Sequence, residues 1–82
     1  MADLTRELIQ ARIERALAAF DVDVETLTPE SGLEDADIDS LDIVELSQIL
    51  EDDYKIDIKP QDFQGSTTYG DALDVVFRRA GV

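Results

Sequence analysis

The segment DADIDSLDIVEL, residues 35–46, places one hydroxyl, that of Ser40, among five acidic side chains. From Ser40 to about Tyr54, apolar residues recur at three- and four-residue intervals, which predicts an amphipathic helix with an acidic outer face. Asp39 or Ser40 suits the first position of this helix, because a short oxygen-bearing side chain can accept hydrogen bonds from the free N–H groups of the first turn. A helix cap is therefore the ordinary structural interpretation of Ser40.

The part of the chain before this helix predicts another helix and a long loop. Apolar residues at helical spacing indicate a first helix from about Leu4 to Phe20, which Asp3 or Thr5 can cap. Residues 21–37 break the pattern with proline, glycine and short polar side chains. Four apolar residues are spaced through this loop and are expected to anchor it to the core: Val22, Val24, Leu27 and Leu33.

The part of the chain after the helix that begins at Ser40 predicts one short helix and one longer helix. Pro60 can open a short helical turn through Phe63. Thr68 and Asp71 have the spacing of a capping box, and the helix that follows is expected to end near Ala80. The predicted fold is all-α, a small bundle of three main helices plus one short helix, with a long loop between helices 1 and 2.

Length and composition restrict the function. A chain of 82 residues makes one small domain, residues 1–82, with a net stability of about 5 kcal/mol. The absence of cysteine and histidine removes the usual metal ligands and nucleophile–base pairs, so a metal-free cytoplasmic protein is expected. The chain is also expected to be a monomer. No apolar run approaches the ~20 residues that span a bilayer. The net charge of -13 disfavours nucleic acid and anionic membranes and favours basic partners, although acid can also serve solubility alone.

Catalysis by Ser40 is disfavoured, because a serine nucleophile needs a base beside it. The two lysines, Lys55 and Lys59, lie beyond the far end of the helix that Ser40 begins, roughly 20 Å away at 1.5 Å per residue. We therefore expect no catalytic residue.

Calcium binding is the sharper alternative, because Asp35, Asp37 and Asp39 repeat the alternating opening of a helix-loop-helix calcium loop. That loop requires Gly at its sixth position and Glu at its twelfth, and these places hold Ser40 and Leu46. Loose cation binding by clustered carboxylates is expected, and a dedicated metal site is not.

Residues 39–46, DSLDIVEL, closely resemble the attachment motif of acyl carrier proteins, in which the serine after Asp receives 4'-phosphopantetheine from coenzyme A. The likeness continues through LEDDYKIDI and TTYGDAL to Phe77, while the first helix and loop match in layout only. Ala36 and Asp37 depart from the family, which commonly has a leucine and a glycine there. The resemblance implies a free-standing carrier that holds acyl intermediates as thioesters and is not itself an enzyme.

By this resemblance Ser40 is the attachment site, and its neighbours belong to a surface that docks partner enzymes. A helix start exposes the hydroxyl and tolerates the anionic phosphodiester that replaces it. The implied partners are a phosphopantetheinyl transferase and acyl-handling enzymes with basic surfaces, such as a ketosynthase, acyltransferase or acyl ligase. The residues to which the docking role is carried over are Asp39, Leu41, Asp42, Glu45, Glu51 and Asp52.

The resemblance also implies that an acyl chain can enter the interior between the helices. The expected lining is Val44, Leu46, Ile49, Leu50, Tyr54, Ala72, Leu73 and Val76. Ordinary core packing is the alternative for these residues. Carriers for fatty acids, polyketides, lipopeptide tails, amino acids and D-alanine share this layout, so the cargo stays open.

Overall fold

A computed structural model describes residues 4–82. Helix α1 spans Arg6–Ala19, α2 spans Ser40–Tyr54, a short 3₁₀ helix spans Pro60–Phe63, and α3 spans Tyr69–Ala80. Within residues 4–82 there is no β-strand, and one isolated antiparallel bridge joins Gly32 to Thr68. The predicted all-α fold of three main helices and one short helix is confirmed.

Helix α1 begins where the sequence provides a cap. The hydroxyl of Thr5 accepts a hydrogen bond from the N–H of Leu8 at 3.1 Å. Asp3, the alternative cap, lies outside the described residues. Leu8 is 42% exposed, because neighbouring helical residues point about 100° apart and Ile9 faces the core instead. The buried residues of α1 are Ile9, Ile13, Ala16 and Leu17.

Helix α3 has the predicted capping box and the most buried side chains of the three long helices. Thr68 accepts from the N–H of Asp71 at 3.1 Å, and the carboxylate of Asp71 accepts from the N–H of Thr68 at 3.2 Å. Gly81 ends the helix in the left-handed region at φ 77°, which glycine adopts without strain. The buried residues are Tyr69, Ala72, Leu73, Val76 and Phe77.

The long loop between α1 and α2 is attached to the rest of the protein in two ways. Val22 and Ile38 are buried, and Val24, Leu27 and Leu33 are half-buried against the core, which confirms the predicted anchoring. The backbone of the loop also bonds the start of α3: Leu33 N–H to Thr67 O at 3.0 Å, Tyr69 N–H to Ser31 O at 2.8 Å, and Gly70 N–H to Pro29 O at 2.9 Å.

Polar contacts between elements add to the apolar core. Arg12 on α1 pairs with Asp53 on α2 at 2.8 Å, and Arg79 on α3 pairs with Asp62 on the 3₁₀ helix at 2.8 Å. Such partly exposed pairs contribute up to about 1 kcal/mol each, so apolar burial is the main source of stability. No helix within residues 4–82 is both long and apolar enough to span a bilayer.

Candidate phosphopantetheine attachment site

Ser40 is the first residue of α2, and the capping function belongs to the residue before it. Asp39 accepts a hydrogen bond from the N–H of Asp42 at 2.9 Å, and the carboxylate of Asp42 accepts one from the N–H of Asp39 at 3.3 Å. Ser40 is exposed, and its hydroxyl makes no hydrogen bond with any other residue of the described range 4–82. Of the two sequence-predicted caps, Asp39 takes the role and leaves the Ser40 hydroxyl available.

The chain is held firmly on the loop side of Ser40. Ile38 is 6% exposed, and its N–H donates to the carbonyl of Leu33 at 2.9 Å. Asp37 lies in the left-handed region at φ 62°, where glycine fits best and Asp is among the tolerated residues. The departure from the family glycine at this position therefore leaves the turn intact. Ser40 is therefore held at a fixed point on the surface of the domain.

The electrostatic surroundings of Ser40 act in opposite directions. The N-terminal end of α2 carries a partial positive charge and the free N–H groups of its first turn, which favour a phosphate. The carboxylates of Asp39 and Asp42 repel one, and both are engaged in the capping box. The dipole of α2 therefore favours an anionic group on Ser40, and the two capping carboxylates oppose its charge.

The outer face of α2, here called the α2 face, combines apolar and acidic side chains: Leu41, Val44, Glu45, Glu51 and Asp52. Leu41 is 65% exposed and Val44 is 37% exposed. Glu51 lies 3.5 Å from the ammonium of Lys59 and is partly neutralised, whereas Glu45 and Asp52 form no ion pair within residues 4–82. Among the predicted docking acids, Glu45 and Asp52 are therefore the most available charges.

The predicted interior lining divides into two groups. Leu46, Ala72, Leu73 and Val76 border an apolar cavity of about 10 Å³, together with Ile13, Leu17, Leu33, Ile38, Ile43, Phe63 and Tyr69. Leu50 is fully buried away from this cavity, Ile49 and Tyr54 are half-buried, and Val44 departs from the expected interior position because it shares the exposed side of α2 with Leu41. A space this small holds about one water molecule, so an acyl chain requires the helices to move apart.

Sequence reasoning missed several residues of this cavity. Ile43 precedes Leu46 by three residues and so shares its side of α2, which is a signal that could have identified it. Leu33 and Ile38 reach the cavity from the loop, and no periodicity predicts that. Tyr69 closes one side, and its hydroxyl donates to Glu14 at 3.2 Å. Burial, reinforced by the Glu14 carboxylate, raises the pKa of Tyr69, so the phenol stays neutral.

The structure contradicts the calcium loop. Such a loop would run from Asp35 to Leu46, but residues 40–46 are already helical. Within the described part of the chain, no three or more His, Cys, Asp or Glu side chains are grouped so as to hold a metal ion.

A helical domain with an exposed serine at the start of an acidic helix is compatible with the phosphopantetheine-bearing carriers that the sequence resembles. Comparison with known proteins agrees: a family model described as "Phosphopantetheine attachment site" matches residues 7–76. The chain therefore belongs to the acyl carrier protein family, and it carries acyl groups on 4'-phosphopantetheine in fatty-acid or related synthesis.

Relatives with acyl carrier names cover most of the chain. An acyl carrier protein of Picosynechococcus sp. is 39% identical over 63 residues, which is 76% of this chain and 78% of that protein. A meromycolate extension acyl carrier protein of Mycolicibacterium aurum is 35% identical over 74 residues, covering 89% and 76%. One of Mycobacterium leprae is 34% identical over 77 residues, covering 93% and 67%. No solved structure matches the chain significantly.

Proposed function

We propose that Ser40 is the residue that bears the 4'-phosphopantetheine arm. The observation that supports this most directly is its position: an exposed hydroxyl at the first residue of α2, with no hydrogen-bond partner within residues 4–82 because Asp39 caps the helix. The other serine of this helix, Ser47, is 2% exposed and donates to the carbonyl of Ile43 at 2.9 Å. A transferase can reach Ser40 without unfolding α2, and it cannot reach Ser47.

The arm supplies the thiol that the polypeptide lacks. The chain contains no cysteine, so an acyl thioester must form on the sulfur of the arm. The protein's own contribution is to fix the attachment point and to present the arm, and we propose no catalytic role for its side chains. Coenzyme A is the donor of the arm, and the predicted cytoplasmic location is compatible with its supply.

The α2 face is the proposed docking surface for a phosphopantetheinyl transferase and for acyl-handling enzymes such as a ketosynthase, acyltransferase or acyl ligase. Leu41 offers a 65% exposed apolar contact one residue from the arm, and Glu45 and Asp52 offer charges to basic partners. Asp39, Asp42 and Glu51 add to the negative field, although each already has a partner within the domain. Charge steers the approach, and the apolar contact then supports docking.

The proposed cargo is an acyl intermediate of fatty-acid, polyketide or related biosynthesis. The names of the mycobacterial relatives refer to meromycolate extension, which supports a fatty acyl chain here. The apolar cavity bordered by Leu46, Leu73 and Val76 is where such a chain would enter.

Incubation with a phosphopantetheinyl transferase and coenzyme A, followed by intact mass measurement, tests the attachment site. The parent and a Ser47→Ala control should each gain one phosphopantetheinyl group, and Ser40→Ala should gain none. Circular dichroism should show α2 retained in Ser40→Ala, because alanine is a strong helix former. If folded Ser40→Ala were still modified, the attachment site would be a residue other than Ser40.

A further inference from the structure

A surface groove of about 500 Å³ begins at Ser40 and runs between the start of α2 and the 3₁₀ helix. This volume lies within the about 300 to 1,000 Å³ range of small-molecule sites. The groove is more open to solvent than the small cavity inside the bundle, and Leu33, Ile38, Ile43 and Phe63 border both. It is therefore a place where a flexible molecule can lie without any movement of the helices.

The lining of the groove is unusual for so acidic a protein. Among the described residues 4–82, Asp39 is the one charged residue that borders it, although charged residues are 33% of the chain. Ile43 and Val44 provide apolar surface next to Ser40. A basic partner protein has little to recognise there, and a neutral, partly apolar ligand fits better.

The side of the groove on and just beyond the 3₁₀ helix carries polar groups without partners. Gln61 and Gln64 are exposed, and neither side chain makes a hydrogen bond within residues 4–82. Ser66 follows them and is half-buried. Each glutamine amide offers two N–H donors and one carbonyl acceptor, which is the complement of a secondary amide.

We propose that the pantetheine arm on Ser40 rests in this groove, with its dimethyl carbon near Ile43 and Val44 and its amides hydrogen-bonded to Gln61 and Gln64. The inference depends on the proposed attachment at Ser40. Pantetheine contains two amides and a branched apolar carbon, and it is uncharged beyond its phosphate. Because the arm is tethered at the edge of the groove, its effective concentration there reaches the millimolar range or above. Even weak contacts then hold it.

The composition of the chain makes a direct experiment possible. With no cysteine in the sequence, the arm thiol is the sole thiol of the modified protein and takes a maleimide nitroxide label selectively. The chain has four glutamines and no asparagine, so its side-chain amide spectrum contains four NH₂ pairs. Gln61 and Gln64 report on the groove, and Gln48 and Gln10 serve as controls. Gln48 lies on α2 about 12 Å along the helix from Ser40.

Paramagnetic broadening, which falls steeply with distance, should be severalfold greater at Gln61 and Gln64 than at Gln48 and Gln10. Gln48→Ala should leave the broadening at Gln61, Gln64 and Gln10 unchanged, and Gln61→Ala with Gln64→Ala should reduce the broadening of the Ser66 backbone amide. Comparison of apo and unlabelled modified protein, where the Gln61 and Gln64 amide resonances should shift, excludes an effect of the label itself.

Three negative results have different meanings. Normal attachment at Ser40 with equal broadening at Gln61, Gln64 and Gln48 would show that the arm is free in solvent. This result would overturn the inference that the arm rests in the groove, and it would leave the proposed function intact. If the groove resonances change only when a partner enzyme is added, the groove serves protein docking, and the inference that the arm rests there is wrong. Failure of attachment at Ser40 would refute the proposed function, and the groove inference with it.

Discussion

The backbone N–H of Gly70 donates a hydrogen bond of 2.9 Å to the carbonyl of Pro29, where the first turn of α3 meets the long loop. A Cβ atom at Gly70 would lie 2.9 Å from that same oxygen and 3.2 Å from the Pro29 side chain. The helix and the loop therefore approach as closely as their backbones allow. This contact, with the two neighbouring backbone bonds, fixes the loop that leads to Ser40.

Gly70→Ala should destabilise the protein by about 1 to 3 kcal/mol, as overpacking of a close contact does. Alanine alone would favour the helix by about 0.5 to 1 kcal/mol, so a loss of stability is diagnostic of the contact. Gly32→Ala is the matched control, because its Cβ would meet the movable carboxylate of Asp35 at 3.2 Å. Thermal unfolding should show a clear fall for Gly70→Ala alone, and equal melting temperatures would contradict the close approach.

The turn before Ser40 offers a second test. Asp37 has φ 62°, a conformation that costs most residues about 1 to 2 kcal/mol and costs glycine nothing. Asp37→Gly should stabilise the protein by up to about 1 kcal/mol, since the greater freedom of glycine in the unfolded chain offsets part of the gain. Asp37→Asn is the control, because it removes the charge and tolerates the same backbone. Denaturant midpoints that place Asn above Gly would show that the backbone is not strained.

Asp37 also illustrates what the sequence predicts and what it does not. Helix positions were predictable because the caps, Thr5, Asp39 and Thr68, are local signals followed by regular apolar spacing. The left-handed turn at Asp37 follows from how the loop closes onto the core, so it is set by residues distant in sequence. The choice between Asp39 and Ser40 as cap needed the structure for the same reason.

The site was predictable in its motif and less so in its surroundings. The availability of Glu45 compared with Glu51 depends on Lys59, eight residues beyond Glu51 across a turn of irregular chain. The exposure of Val44 and the groove reaching Gln61 depend on how the 3₁₀ helix lies against α2. Periodicity describes single helices, and these features arise between elements.

Charge reversal on the α2 face should slow modification without unfolding the domain. Glu45→Lys with Asp52→Lys removes the two acids of the α2 face that form no ion pair within residues 4–82, and it avoids the capping box that Asp42 stabilises. The kcat/KM of the transferase should fall at low salt, and the deficit should shrink as salt shortens the screening length to about 8 Å at physiological ionic strength. Glu7→Lys with Asp74→Lys, exposed on α1 and α3, makes the same change in net charge elsewhere. If both double substitutions lowered kcat/KM equally, the acids of the α2 face would act only as part of the general surface charge.

Acid should weaken the cap of α3 in a way that one carboxylate explains. Hydrogen bonds from the backbone of Thr67, then from that of Thr68, hold the pKa of Asp71 below its ordinary value. A depressed folded-state pKa contributes stability above the unfolded pKa, and this contribution disappears as pH falls through the folded pKa. The parent should therefore have a higher free energy of unfolding than Asp71→Ala at pH 7. This difference in free energy should disappear in acid below about pH 4.

Asp74→Ala is the control for Asp71→Ala, since Asp74 is also exposed on α3 but caps nothing. Denaturant unfolding at neutral and acid pH should show a pH-dependent gap for Asp71→Ala that Asp74→Ala lacks. A gap of constant size across pH would mean that the hydrogen bonds of Asp71 do not depend on its charge.

The route of the acyl chain can be tested by comparing two leucines of one helix. Leu46 borders the apolar cavity, and Leu50 is fully buried outside its lining. Leu46→Val and Leu50→Val each remove one buried methylene, worth about 0.8 kcal/mol, so both variants should fold. Loading the arm with an octanoyl group should raise the melting temperature if the chain enters the core, because a ligand that binds the folded state stabilises it. The gain should be larger for Leu46→Val, where the space left by the mutation adjoins the path of the chain and is filled. A gain in Leu50→Val equal to that in Leu46→Val would place the chain elsewhere, and no gain in any variant would leave these residues as ordinary core.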